Sequence, residues 1–226
     1  MALSKEIQVF LSDVSAKYGG VTIKPKSSST LMKLIGWFFR ITKISPQFMT
    51  NYYTTLGSTI YVPDNLLENT NTSSFIRTLA HETVHADDAR RLSSAFFGFL
   101  YLFPQSLAPL ALLSLLGLLN PMFFWCLGFL VFLAPLPAPF RYWFELKAYR
   151  TQLLFARKED KLSDSEMEYH YEWIEKQLCT KLYYWTWPFK SWVRKDLKDE
   201  SGWEQGIYKD LTNWIHARRV VRQIGG

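Results

Sequence analysis

Residues 75–91 of this 226-residue chain read FIRTLAHETVHADDARR. Leu79, Ala80 and Val84 supply an apolar face, and the polar, capping-rich loop Asn69–Ser74 precedes it. This pattern predicts a helix starting near Thr72 or Ser73 and running through the whole stretch. On that helix His81 and His85 lie one turn apart and share a face, so both imidazoles can reach one metal ion. Zinc takes imidazole nitrogen at about 2.0–2.1 Å and keeps an open position in catalytic sites. Glu82, beside the first histidine, is placed to hold a zinc-activated water and accept its proton. Two of the chain's 4 histidines fall in this one motif.

Upstream, residues 3–18 suit an amphipathic helix carrying Ile7, Phe10, Leu11 and Val14, stopped by Gly19-Gly20. Val21 to Pro25 suits a short strand. Leu31 to Ile41, with Trp37, Phe38 and Phe39, reads equally as a core helix or a surface aromatic patch. Tyr52–Leu56 and Ser58–Val62 are rich in β-branched and aromatic residues around Gly57, the pattern of a hairpin. Pro63 marks the second strand as an edge.

Downstream, no charged residue occurs from Leu92 to Phe140. A helix needs about 20 apolar residues to cross a bilayer, and Pro104, Pro109 and Asn120-Pro121 cut this span into shorter pieces. A bent apolar hairpin that dips into or crosses a membrane is expected, with a hairpin buried against the domain or a partner as the alternative. Arg90, Arg91 and Arg141 bracket the span. The positive-inside rule then places the metal site on the cytoplasmic face. Phe140, Tyr142, Trp143 and Phe144 read as an interfacial belt or as core packing. Beyond them, Tyr142–Lys158 is a helix. Another starts at Ser163 or Asp164 and carries the stripe Met167, Tyr171, Ile174 and Leu178. An aromatic cluster over residues 183–192 and a last helix bearing Ile207, Leu211, Trp214 and Ile215 complete the chain.

A catalytic zinc site needs a third protein ligand. The first carboxylate beyond the apolar span is Glu145, followed three residues later by the small Ala148. Asp88 competes, because it shares the face of His81 and His85. Helix geometry suits Asp88 better as a second-shell or capping group than as a ligand. With HExxH at 81–85 and ExxA at 145–148, the chain resembles the gluzincin metallopeptidases. The strand-then-helix order of residues 54–85 is similar to the same family, including small bacterial or phage-type members and membrane-embedded zinc endopeptidases.

The resemblance covers roughly residues 50–150. It implies an α+β fold, mostly helical and zincin-like, with a small antiparallel sheet and the inserted apolar hairpin. It implies Zn2+ held by His81, His85 and Glu145, with Glu82 as general base and then proton donor. The strand containing Ser58, Ile60 and Val62 would pair with an extended peptide or protein substrate. Thermolysin-like enzymes carry Asp four residues after the ligand Glu, where this chain has Tyr149. The residue that would orient the His81 ring is therefore unassigned. Tyr149, His170 and Tyr142 are candidates for stabilising an oxyanion, although His170 and His216 read more simply as solvent-facing helix residues.

Composition bounds the rest. Hydrophobic residues make up 48% and charged residues 20%, which excludes a disordered chain. The net charge of +6 is spread over both flanks of the apolar span, so no nucleic-acid partner is expected. Two isolated cysteines point to a reducing compartment. The first twenty residues carry no apolar core of a signal peptide. Three segments are expected: 1–91 with the metal helix, 92–140 as the lipid-contacting hairpin, and 141–226 with the second ligand helix. The activity expected is membrane-associated hydrolysis of peptide bonds. The competing expectation is a non-catalytic, membrane-interacting structural or delivery protein, for example of a phage particle, with a structural metal site.

Overall fold

The computed structural model describes residues 5–15, 17–18, 20–43, 45–68, 72–180, 186–201 and 213. Helix α1 (Lys5–Phe10) continues into a π-helical turn at Leu11–Ser15, and buries Ile7 and Phe10 as its periodicity requires. Strand β1 (Thr22–Pro25) follows, then α2 (Thr30–Thr42), whose Ser29 cap accepts the Met32 N–H at 3.3 Å. The short helix α3 (Phe48–Asn51) leads to β2 (Thr54–Leu56) and β3 (Thr59–Val62). Gly57 makes the intervening turn at φ +59°, a left-handed conformation that glycine adopts without strain.

The sheet is mixed, not antiparallel. Its order is β1-β3-β2, with β2 antiparallel and β1 parallel to β3. The hairpin was legible because its turn is local. The parallel pairing was not, because α2 and α3 carry the chain back between β1 and β3, as a parallel crossover must. One consequence bears on the site. Strand β3 is paired on both sides, so Ser58, Ile60 and Val62 offer no free edge, and Ile60 and Val62 are fully buried. Among the described strands, the edge nearest His81 and His85 belongs to β2.

Helix α4 (Asp64–Glu68) precedes α5 (Thr72–Leu92), which carries His81 and His85. After a left-handed Ser93 comes α6 (Ser94–Tyr101). The chain then bends by 94° into two 3-10 helical arms, Gln105–Leu118 and Pro121–Leu133. Helix α7 (Pro139–Lys158) returns to the body, followed by α8 (Asp164–Cys179) and α9 (Lys190–Lys198). Ser163 and Glu166 cap α8 reciprocally, and Met167, Tyr171, Ile174 and Leu178 are all buried, as their spacing predicts. Residues 183–185 of the aromatic cluster and the proposed last helix lie outside the described residues. Trp187, Phe189 and Trp192 do cluster, with ring centroids 4.9–6.0 Å apart.

Two cores meet on α7. One joins α1, β1, β3 and α5 to Ala148 and Phe155 of α7. The other joins Tyr142, Tyr149 and Leu153 of α7 to α8 and α9. A third, smaller cluster of Ala89, Phe97 and Phe144 seats α6 against α5 and α7. The pairing of α5 with α7 across these cores is what brings His81 and His85 to Glu145.

Candidate metal centre

His81 and His85 lie on consecutive turns of α5, with their Nε2 atoms 3.2 Å apart. Glu145 reaches them from α7, with 3.5 Å from Oε2 to His81 Nε2 and 3.7 Å from Oε1 to His85 Nε2. One ligand atom from each residue lies within 4.8 Å of the other two, and all three residues are buried. Ala148 is fully buried one turn further along α7. Its small side chain allows α7 to approach α5 closely enough for Glu145 to reach both imidazoles.

Glu82 stands beside the cluster, 8% exposed, and Thr55 Oγ1 of β2 donates to its Oε2 at 2.6 Å. Burial raises the Glu82 carboxyl above the ordinary carboxylate range against the pull of His81 and the Thr55 hydroxyl. Glu145 is held low, to about 2, because its contacts with His81, His85 and Tyr101 outweigh its burial. His85 is pushed down to about 4 by burial. For His81 burial acts downward too, but Glu145 and Glu82 prevail and raise it.

Aromatic rings enclose the two imidazoles. Tyr149 packs edge-on to His81, with ring centroids 4.6 Å apart. Tyr101 and Phe97 of α6 lie 5.9 and 6.2 Å from His85. The Nδ1 atoms of both histidines and Glu145 Oε2 are buried with no hydrogen-bond partner among the described residues.

Tyr101 was not anticipated from sequence. Its hydroxyl donates to Glu145 Oε1 in a short hydrogen bond. It lies forty-four residues before Glu145, inside the charge-free span, where nothing separates it from the other aromatics. Arg141 fixes it further, donating from Nε to the Tyr101 carbonyl at 3.0 Å. Arg141 is thus buried against α6, and Arg90 and Arg91 both pair with Asp87 at 2.8 and 2.6 Å.

Three other sequence candidates fall elsewhere. Asp88 is outside the ligand cluster and pairs through Oδ1 with Lys147 of α7. Tyr142 stacks on Trp187 and donates its hydroxyl to Asp196 at 2.6 Å, so it serves the second core. His170 is only partly exposed to solvent. It is half-buried and lines a cleft of about 550 Å³ that also contains His81, Glu82, Tyr149 and Trp173. The periodicity of α8 did identify its buried stripe, but the cleft wall is formed only when α8 packs on α7 and so faces α5 across the cleft. His216 lies outside the described residues.

Comparison of the chain with family models, with curated proteins and with solved structures finds no match.

Proposed function

We propose that the chain is a zinc metallopeptidase of gluzincin type, held at a membrane by its apolar hairpin. The observation that carries this reading is the convergence of His81, His85 and Glu145, two helices apart in the chain, beside a buried Glu82. The donor set fits zinc: two imidazole nitrogens and one carboxylate oxygen, with Glu145 Oε2 buried and without a hydrogen-bond partner among the described residues. His81, His85 and Glu145 would hold the ion. When bound, it would supply Lewis acidity and a water acidified toward neutral pH.

The chain's own residues supply the rest. Glu82 takes a proton from the attacking water and passes it to the leaving amine. The Thr55 hydroxyl orients that carboxylate from β2. The cleft bounded by α5, α7 and α8 receives side chains of the substrate, and an extended peptide adds along the free edge of β2.

The hairpin supports membrane attachment. No single helix among the described residues is long and apolar enough to cross a membrane. Yet no side chain of Pro121–Leu133 is buried, and Leu118 and Leu119 at the hairpin tip are 87% and 85% exposed. At about 2.0 Å per residue, the 3-10 arms extend roughly 28 and 26 Å. That is close to the 30 Å or so of a bilayer's hydrocarbon.

The test is metal content and peptidase activity of the purified protein beside three variants. Wild type and Asp88→Ala carry about one zinc per chain, Glu145→Ala loses it, and Glu82→Gln keeps zinc but is inactive. Zinc bound with no activity toward any peptide library would favour the structural-site reading. No zinc in folded wild type would remove both.

A further inference from the structure

Helix α2 is packed with its more apolar side outward. Met32 and Gly36 face the body and are buried, with the Gly36 backbone close against Met49 of α3. The opposite side exposes Leu31, Leu34, Trp37, Phe38 and Ile41, each at 46–59%. At 100° per residue these five fall within one arc of about 120°, a continuous stripe along some 15 Å of helix. Lys33 and Arg40 flank this stripe on one side and Lys43 follows it, all exposed and none paired with an acid among the described residues. From Val21 to Pro63 the chain contains no Asp or Glu at all, but five Lys or Arg.

We propose that α2 is an in-plane membrane helix that docks on an anionic lipid surface. It inserts the Leu31–Ile41 stripe among the acyl chains and sets Lys33, Arg40 and Lys43 against the headgroups. An amphipathic helix with Trp, Phe and Leu on one side and only cations beside them has the composition of an interfacial helix. Trp37 has the amphipathic ring favoured at that depth. A second copy of the chain fits the stripe poorly. A two-fold contact would set α2 against α2 and oppose like charges across an apolar seam with no acid to offset them.

The surface is distinct from the hairpin, so the two are probed separately in the full chain. A nitrobenzoxadiazole dye on the native, partly exposed Cys126 reports the second hairpin arm, because Cys179 is buried. The same dye on Leu34→Cys, in a Cys126→Ser background, reports α2. With vesicles of phosphatidylcholine containing phosphatidylglycerol, the α2 dye shifts to the blue and is quenched by lipids brominated near the headgroup. The shift weakens in pure phosphatidylcholine or high salt. Lys33→Gln and Arg40→Gln move the water–lipid balance of α2 by about five-fold each.

An α2 dye that stays in water while the Cys126 dye enters the bilayer overturns this proposal and leaves the hairpin reading standing. A Cys126 dye that stays in water while the α2 dye enters does the reverse. An α2 dye buried without vesicles, in a dimer that dissociates on dilution, assigns the stripe to a second copy and overturns the lipid docking.

Discussion

Tyr101 links the apolar insertion to the metal cluster through one hydroxyl. Its bond to Glu145 Oε1 orients the carboxylate toward the two imidazoles, and its ring closes one side of His85. Neither histidine has an Nδ1 partner among the described residues, so this is the outer contact that positions the ligand set. Tyr101→Phe keeps the ring and the main-chain bond from Arg141 but removes the hydroxyl. The variant should stay folded and bind zinc about 10- to 100-fold more weakly, as read by competition with a chelator. Unchanged affinity would make the hydroxyl a bystander. The HExxH residues were legible because one helix sets their spacing. Glu145 was legible as the first carboxylate past the span. Tyr101 was not, since its role arises only where α6 folds back over α7.

At the scale of elements, the hairpin depends on how closely its two 3-10 arms approach. Gly117 makes this possible: a Cβ there would sit 2.6 Å from the Phe124 ring. Gly117→Val should drive the arms apart and destabilise the hairpin by about 1–3 kcal/mol. Faster proteolysis between residues 105 and 133 would register the loss, with zinc content unchanged because the proposed ligands lie on α5 and α7. Proteolysis at the wild-type rate would show that the arms tolerate separation. The sheet shows where local reading ends. Turn chemistry at Gly57 identified the β2–β3 hairpin, whereas the position of β1 beside β3 depends on a crossover through α2 and α3. That crossover moved the free edge from β3 to β2, and Thr55 with it onto Glu82.

For the molecule as a whole, Lys26 stands out as a fully buried cation. Its Nζ donates to the Phe48 carbonyl at 2.7 Å and lies 3.5 Å from the Phe48 ring centre. Burial lowers its pKa from 10.5 to about 7, with Glu82 acting the other way. Between those values the folded chain has released this proton while the unfolded chain keeps it. The unfolded state then binds more protons, so stability rises with pH from about 7 toward 10. Denaturant midpoints across that range should climb for wild type and lose this component in Lys26→Met. Equal slopes for the two proteins would show that Lys26 keeps its charge when folded.

By itself the sequence determined helices α1, α5, α7 and α8, the Ser163 cap and buried stripe of α8, the HExxH face and the charge-free hairpin, because each depends on neighbours a few residues away. Tertiary structure alone decided the mixed sheet, the outward stripe of α2, the contact of Tyr101 with Glu145, the place of His170 in the cleft and the burial of Lys26. Each of these brings together segments distant in the chain. Periodicity shows that a face is apolar, but only packing settles whether that face turns toward the core or away from it.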